Sequence, residues 1–351
     1  MSTTNATQVD RRELLAAGAG LATVAAGALP SVGQPVADKA KGPLRIIDYH
    51  NHFVGPRFVM TGASNAAGPQ ADLLKRNMTD AAALIGSVGE AGIEARVINT
   101  PTAFLQDAQG NVAPGTDQRI NDHLAELVAA NKGRIYAMAT IDAYAGESAA
   151  RELERASKQL GLRGVFLESG SRGMLLDAPE ARPTLTVAAN LGIPVFVHPV
   201  TDPEMHNRFR RTGRNGTRLA RATINSASLI AMLEGGVFDA LPKLDVVVTT
   251  LAIGGVLMAG GFGDGARITA DTPAAQRRHV YIDTMGLHPA LVRSVVDLLG
   301  SDHVLMGTDW PIVVEKSVPE RLQKALDACA LDPAQQRMVA GGNALRLLGI
   351  G

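Results

Sequence analysis

The sequence predicts an α/β protein in which eight strands, each followed by a helix, close into a single (β/α)8 barrel. From Leu44 onward, short β-branched runs alternate with longer segments that carry apolar residues at helical spacing. The run Val246–Val248 is apolar at every position, which indicates a strand buried on both faces, as in a parallel sheet. An open doubly wound sheet is the alternative, but its Gly-rich phosphate-binding turn is missing after the first strand.

The elements follow one another in a regular order along the chain. Strands are predicted over 45–49, 95–99, 135–141, 164–167, 194–197, 245–250, 280–283 and 304–307. Helices are predicted over 79–91, 117–131, 147–160, 180–191, 217–241, 290–299 and 319–330, and a last helix over 333–348 ends the chain. We therefore expect one TIM-barrel domain over 44–351, preceded by a separate segment over 1–43.

Composition excludes several classes of function. Lys and Arg together number 34, as do Asp and Glu, so the formal net charge is zero. A nucleic-acid-binding or membrane-surface protein usually has a basic excess, so we expect neither partner. The single Cys329 excludes an intrachain disulfide framework.

The first forty residues differ in kind from the rest. Arg11 and Arg12 precede a short Ala/Gly-rich apolar stretch that ends in Ala26-Gly27-Ala28. This order is typical of a twin-arginine export signal with a small-residue cleavage site. The stretch is too short for a permanent membrane span, so stable membrane insertion is not expected. The sequence thus predicts a periplasmic or exported protein, with a cytoplasmic protein carrying an uncleaved tail as the alternative.

Two histidines stand at the end of the first predicted strand. His50 and His52 are separated by one residue, so strand alternation places them on one face, with Asp48 below them. Two imidazoles on one face can bind a divalent metal ion. In a (β/α)8 barrel the active site lies at the carboxyl ends of the strands. The carboxyl ends of all the remaining strands are therefore candidate positions for further site residues.

Further polar residues end the other predicted strands. His198 ends the fifth and Asp309 follows the eighth, and with His50 and His52 they form a predicted site for one divalent ion. Glu168, Thr250 and Asp283 end the fourth, sixth and seventh strands. Glu168 is a candidate catalytic base or second-metal ligand, with a simple ion pair to Arg172 as the alternative. Asp283 is a candidate for orienting a metal ligand through a hydrogen bond, with a buried structural acceptor as the alternative.

The chain resembles the amidohydrolase superfamily, and within it the amidohydrolase-related branch that contains aminocarboxymuconate-semialdehyde decarboxylase. The matching stretches are 47–52, 164–200, 233–255, 280–311 and the run Gly342-Asn343-Ala344. In that branch the two strand 1 positions, the strand 5 His and the strand 8 Asp hold one ion, often zinc or manganese. The resemblance therefore implies a Zn²⁺ or Mn²⁺ cofactor, and relatives of this branch often form homodimers.

One position departs from that branch. Its members usually have a His at the end of strand 6 that serves as acid and base, whereas here the nearest counterpart is Thr250. A Thr hydroxyl can orient a water molecule but accepts a proton poorly at neutral pH. We therefore consider Asp309, Glu168 and Thr250 together as the candidate catalytic residues.

The segment after the fifth strand is rich in arginine. It contains Arg208, Arg210, Arg211, Arg214, Arg218 and Arg221. Arg208, Arg211 and Arg214 are predicted to bind an anionic substrate, because the guanidinium group pairs with a carboxylate through two hydrogen bonds; a solvated surface segment is the alternative. Trp310 is predicted to pack against a planar substrate, with packing at the barrel rim as the alternative.

These features predict a divalent-metal-dependent enzyme with a small anionic substrate. The resemblance favours non-oxidative decarboxylation of an aromatic or unsaturated carboxylate. Hydrolysis of a lactone, ester or amide is the first alternative, because a bound ion also activates water. A barrel that only binds a ligand is the second, since the strand 6 His is absent.

Overall fold

The computed structural model describes residues 43–61, 68–107, 111–261 and 279–350. Over these residues the chain is an α/β fold with a parallel sheet, consistent with the predicted TIM barrel. The predicted signal segment lies outside the described residues except for Pro43. Among the described helices, none has both the length and the apolar character required to cross a bilayer.

The strands and helices alternate as the sequence predicts. The strands are β1 (Ile47–His52), β2 (Ala95–Asn99), β3 (Ile135–Ala137), β4 (Ala139–Thr140), β5 (Val165–Glu168), β6 (Gly170–Ser171), β7 (Met174–Leu175), β8 (Val195–His198), β9 (Val246–Val248), β10 (Val280–Asp283) and β11 (Val304–Leu305). The helices are α1 (Pro69–Thr79), α2 (Ala81–Glu90), α3 (Thr116–Ala130), α4 (Glu147–Lys158), α5 (Arg182–Leu191), α6 (Pro203–Phe209), α7 (Gly213–Glu234), α8 (Val237–Ala240), α9 (Ile253–Gly261), α10 (Pro289–Leu299), α11 (Val318–Ala328), α12 (Pro333–Arg337) and α13 (Asn343–Leu347).

Three helices were not predicted. Helix α9 follows the sixth predicted strand and contains several glycines, which have low helix propensity and weaken the sequence pattern. The short α6 begins after Asp202, whose side chain accepts a hydrogen bond from the backbone N–H of Met205. Helix α1 is largely polar and buries only Met78, so it shows little apolar periodicity.

Backbone hydrogen bonds connect the parallel strands in sequence. One sheet has the order β1–β2–β3, and another has the order β11–β10–β9–β8–β5–β4. The third predicted strand is interrupted at Met138, so its two halves belong to the two sheets. On the edge of β1 that faces away from β2, the backbone N–H of Tyr49 donates to Met306 O at 2.9 Å, and that of His52 donates to Trp310 O at 2.7 Å. These bonds join the first and last strands, as barrel closure requires.

The apolar core has two layers. Side chains facing the middle of the strand ring are Ile47, Tyr49, Ala95, Val97, Met138, Phe166, Phe196, Val247, Tyr281 and Leu305, and they pack with residues of α13. A larger cluster fills the space between the strands and the surrounding helices. The approach of the C-terminal segment requires glycine, because a Cβ on Gly341 would lie 2.5 Å from the carbonyl oxygen of Arg45. The amino-terminal end of the ring is thus filled, and the opposite end carries the polar strand termini.

Candidate metal centre

A β-bulge in β1 places both histidines on the inner side of the strand ring. Asp48 pairs with Arg96, whereas Asn51 pairs with Ile98, so β1 contains one residue more than β2 over this stretch. Strict alternation is therefore broken, and the predicted position of Asp48 below the two histidines is wrong. Bulges of this kind commonly redirect side chains beside active sites.

Ring contacts show the effect of this bulge. The consecutive residues Tyr49 and His50 both pack against Phe196, with ring centroids 5.7 and 5.0 Å apart. In an unbulged strand, two consecutive side chains would point to opposite faces. His52 also faces inward, with its ring centroid 4.7 Å from that of His198. The bulge therefore brings both imidazoles of β1 to the fifth predicted strand.

Asp48 instead lies at the centre of a buried polar network that joins three strands. Its carboxylate accepts hydrogen bonds from Arg96 Nη1 and from the backbone N–H and hydroxyl of Thr308, the last two at 3.0 and 2.6 Å. The guanidinium of Arg96 also covers the Trp310 ring at 4.9 Å from its centroid. Trp310 is only 2% exposed, so packing within the barrel, the alternative to substrate contact, explains its position.

The four predicted metal ligands lie together at the carboxyl ends of the strands. The candidate ligand nitrogens of His50, His52 and His198 all lie within 4.8 Å of one another. Asp309 Oδ1 lies 3.4 Å from His50 Nε2 and 3.2 Å from His52 Nε2. Two ligands bonded to one tetrahedral zinc ion at roughly 2.1 Å are about 3.4 Å apart. The spacing between Asp309 and the first two histidines matches this value.

Hydrogen bonds on the far side of two imidazoles fix their orientation. His50 Nδ1 lies 2.5 Å from Asp283 Oδ2, and His52 Nδ1 lies 2.8 Å from Asn99 Oδ1. Each ring therefore turns Nε2 toward the cluster, and both Nε2 atoms are buried with no hydrogen-bond partner among the described residues. Burying such an atom unpaired is costly. A metal ion would satisfy both atoms, and a carboxylate or carbonyl behind each histidine is typical of metal sites.

Burial and nearby charges set the protonation of the cluster. Burial lowers the pKa of His52 and holds the pKa of His198 well below its ordinary value. Burial also acts to lower the pKa of His50, but the carboxylates of Asp283 and Asp309 outweigh it and leave that pKa raised. Because a metal binds the neutral imidazole, His52 and His198 are in the ligating form at neutral pH.

The carboxylate of Asp309 is held in its charged form. Burial acts to raise its pKa, but the charges of His50 and His52 outweigh it, so the pKa of Asp309 lies below its ordinary value. The backbone of Asp309 adopts φ of 68°, in the left-handed region that Asp enters more readily than most residues. Its backbone N–H donates to His50 O at 2.9 Å, which fixes this turn against β1.

Thr250, which follows the sixth predicted strand, contacts Asp283. Its backbone N–H and hydroxyl lie 2.8 and 2.9 Å from Asp283 Oδ1, and the hydroxyl is 2.6 Å from Asp283 O. The single hydroxyl proton of Thr250 is therefore engaged by Asp283, whose other oxygen holds His50. This geometry favours a positioning role for Thr250 over proton transfer to a substrate.

The contact between Asp283 and His50 gives a first prediction. Asp283→Asn preserves the size of the side chain, but an amide cannot accept from both His50 and Thr250. We expect the affinity for Mn²⁺ or Zn²⁺ to fall about 10- to 100-fold. A loss of this size is typical when the group that hydrogen-bonds to a metal-binding histidine is removed. Competition with a fluorescent chelator measures this change, and Asp297→Asn, at an exposed ion pair of α10, is the control. Unchanged metal affinity in Asp283→Asn would contradict the assigned role.

Glu168 lies beside a cavity next to the histidines. A cavity of about 550 Å³ is lined in part by Thr102, Tyr144, Phe166, Glu168 and Arg172. The Glu168 carboxylate accepts a hydrogen bond from the Thr102 hydroxyl at 2.7 Å, and burial raises its pKa above the ordinary value. Glu168 is thus a carboxyl group that retains its proton to higher pH than an exposed glutamate does.

Phe166 links this cavity to the candidate metal centre. Its ring lies 6.2 Å from the ring of His52 and 5.1 Å from that of His198, measured between centroids. None of the four predicted metal ligands lines the cavity itself. The cavity is therefore a neighbouring space, and its volume is within the range of small-molecule sites.

The arginine-rich segment divides into two groups. Arg208, Arg211 and Arg214 are exposed, and Arg208 pairs with Glu204 at 2.7 Å, so their contact with a substrate stays a prediction. Arg221 is more buried, and its positive charge acts on both Asp309 and Glu168. Of the six arginines, it is the one that we place at the site.

Two residues that contribute to the site were not singled out from the sequence. Asn99, which holds His52, is the last residue of the second predicted strand, so the search of strand ends could have found it. Arg221 lies inside a predicted helix, and only the register of that helix on the sheet shows that it reaches the site.

Comparisons with known proteins agree with this architecture. A curated relative, 2-amino-3-carboxymuconate-6-semialdehyde decarboxylase of Dictyostelium discoideum, is 26% identical over 284 residues, which is 78% of each chain. A gamma-resorcylate decarboxylase of Rhodococcus jostii is 24% identical over 340 residues, covering 86% of this chain and 97% of the relative. The crystal structure of 5-carboxyvanillate decarboxylase from Novosphingobium aromaticivorans, complexed with manganese and 4-hydroxy-3-methoxy-5-nitrobenzoic acid, has a TM-score of 0.74 at 18% identity and covers 88% of this chain and 97% of that one.

The family assignment rests on a match to a family model. The model of the family described as Amidohydrolase matches residues 47–350, nearly the whole of the predicted barrel domain. This match confirms the resemblance predicted from the strand-end residues. The chain therefore belongs to the amidohydrolase family.

Proposed function

We propose that this protein is a divalent-metal-dependent enzyme that decarboxylates a small aromatic carboxylate without an oxidant. The observation that carries the proposal is the cluster of His50, His52, His198 and Asp309, in which two buried Nε2 atoms lack any other partner among the described residues. In (β/α)8 barrels, such a cluster at the carboxyl ends of the strands is typical of a metal-dependent active site.

The relatives support the choice of reaction. The curated proteins that match this chain include decarboxylases of 2-amino-3-carboxymuconate-6-semialdehyde and of gamma-resorcylate. Solved structures of similar fold include two carboxylate decarboxylases that contain manganese. These proteins act on small unsaturated or aromatic acids, and the cavity beside Phe166 is large enough for a single substituted ring.

The residues of this chain suggest how the reaction proceeds. A bound divalent ion would supply positive charge that stabilises the negative charge developing on the substrate. The bond between the ring carbon and the carboxylate carbon breaks, CO₂ leaves, and the electron pair stays on the ring carbon. Burial raises the pKa of Glu168, and this side chain would deliver a proton to that carbon and regain one from solvent. Thr250 holds Asp283, and through it His50, in place.

Turnover assays test this proposal directly. The purified protein is loaded with Mn²⁺ or Zn²⁺ and incubated with 2,6-dihydroxybenzoate, 5-carboxyvanillate and salicylate, and CO₂ release is measured together with loss of the acid. We expect release of one CO₂ per acid consumed, and its loss after chelation or in His198→Ala. Glu168→Gln, which keeps the hydrogen-bonding size but cannot give up an acidic proton, is expected to lower kcat by about 100-fold or more.

Other outcomes point to the two alternatives. Aryl lactones and esters are tested in the same assay, and acid release from them without CO₂ release would indicate hydrolysis. Binding of these compounds without any turnover would indicate a ligand-binding protein.

The metal, assembly and location of the protein are parts of the same proposal. The donor set of three imidazoles and one carboxylate suits Zn²⁺ or Mn²⁺. We expect a homodimer, which light scattering measures.

We expect export through the twin-arginine route, and replacement of Arg11 and Arg12 by Lys should retain the protein in the cytoplasm. Unchanged periplasmic yield would argue against the signal.

A further inference from the structure

Helix α7 is fixed against the strands by hydrogen bonds from one face. Asn225 Nδ2 donates to Val197 O in β8 at 3.1 Å, and Asn225 Oδ1 accepts from the Thr249 hydroxyl at 3.3 Å. One turn earlier in the helix, Arg221 Nη2 donates to Pro199 O at 2.9 Å. Residues four apart share a face of a helix, so both side chains point to the strand ring. As the helix runs back along β8, Arg221 lies at the level just beyond His198.

The guanidinium of Arg221 finds only some of its hydrogen-bond partners within the described part of the protein. Its Nε atom is buried, and among the described residues Nε has no hydrogen-bond partner and no carboxylate oxygen forms an ion pair with the guanidinium. Its charge nevertheless acts on two carboxylates, those of Asp309 and Glu168. Arg221 thus combines one structural hydrogen bond with a buried Nε donor that remains unused, and leaving a buried donor unpaired is costly.

We propose that Arg221 anchors the carboxylate of the substrate and makes the site selective for anionic over neutral aromatic compounds. This inference rests on the proposed function, since it assigns the binding of that reaction's acid to one residue. The position beside His198 and the unused Nε donor of Arg221 fit this role. A carboxylate would accept from the guanidinium fork and complete the hydrogen bonding of Arg221. Arg208, Arg211 and Arg214 are exposed, so water can complete their hydrogen bonding without a substrate.

Equilibrium binding tests the anchor without turnover. Calorimetry measures the affinity of Mn²⁺-loaded protein for salicylate and for salicylamide, its neutral analogue of nearly the same shape. We expect the wild type to prefer salicylate by about 10-fold or more, as one charge-assisted fork provides. Arg221→Met should lose about 10- to 100-fold in salicylate affinity and less than about 2-fold in salicylamide affinity. Arg218→Met, exposed on the same helix, is the matched control and should keep the wild-type preference.

Additional measurements separate anchoring from folding and from metal binding. Thermal unfolding and manganese content are measured for each variant. If Arg221→Met does not fold, Arg221→Lys replaces it in the test, because lysine keeps a positive charge but lacks the paired N–H donors of the guanidinium. For Arg221→Lys we expect salicylate affinity to fall about 3- to 10-fold. An Arg221 variant that retains the wild-type preference overturns the proposal, and so does a wild type that binds salicylate no better than salicylamide. A protein that shows the Arg221-dependent preference but releases no CO₂ supports the anchor and overturns only the proposed reaction.

Discussion

Replacing His198 with alanine is expected to remove most of the bound metal. The wild-type protein should contain about one equivalent of divalent ion, since the three predicted histidine ligands form one cluster and Asp309 lies within 3.4 Å of two of them. His198 ends β8 and is only 7% exposed, so no nearby solvent-facing group can readily take its place. With one imidazole lost, the remaining donors hold a divalent ion far more weakly. Elemental analysis after dialysis against a weak chelator measures the metal content.

A second histidine variant shows whether the loss is specific. His206 lies in α6, outside the cluster, and His206→Ala should retain the full equivalent of metal. Circular dichroism of both variants establishes that the barrel is folded. A folded His198→Ala protein with wild-type metal content would refute the four-ligand assignment.

Replacing Arg96 with leucine is expected to cause the largest loss of stability. Arg96 is 2% exposed and is hydrogen-bonded to Asp48, which is fully buried. Removing one partner of a buried ion pair leaves the other charge uncompensated, which typically costs about 3–5 kcal/mol in free energy of unfolding. The same change removes the hydrogen bond to Asn51 inside the β1 bulge. We therefore expect weaker metal binding as well, because the bulge directs His50 and His52.

Chemical denaturation of the metal-free proteins measures this effect. Lys158→Ala breaks the exposed pair with Glu154 on α4 and should cost less than about 1 kcal/mol. The double variant Asp48→Asn/Arg96→Leu removes the uncompensated charge and should recover part of the loss. A cost for Arg96→Leu as small as that for Lys158→Ala would show that the buried network contributes little.

The strand order and the side chains that meet at the strand ends could be predicted because both depend on local pattern. Apolar runs placed the barrel strands to within a few residues, and β2 and β10 have the predicted bounds. The rule that barrel sites lie at strand ends then selected His198 and Asp309, which are far from His50 in sequence but adjacent in space.

The remaining features depend on contacts that a linear pattern does not contain. The β1 bulge arises where Asp48 turns away to Arg96 and Thr308, two partners from other strands. Arg221 is indistinguishable in sequence from its basic neighbours until the contacts of Asn225 fix the register of α7. Trp310 follows the predicted ligand Asp309 in sequence, but its ring packs under Arg96. Its position in the sequence therefore did not predict its contacts.

The central claim is that His50, His52, His198 and Asp309 bind the same divalent ion. Anomalous diffraction at the manganese absorption edge, from crystals of the Mn²⁺-loaded protein, tests it most directly. We expect a single strong peak at coordination distance, about 2.0–2.3 Å, from the Nε2 atoms of His50 and His52, a ring nitrogen of His198 and a carboxylate oxygen of Asp309. A peak elsewhere in the barrel, or loaded protein with no peak among these four side chains, would contradict the claim.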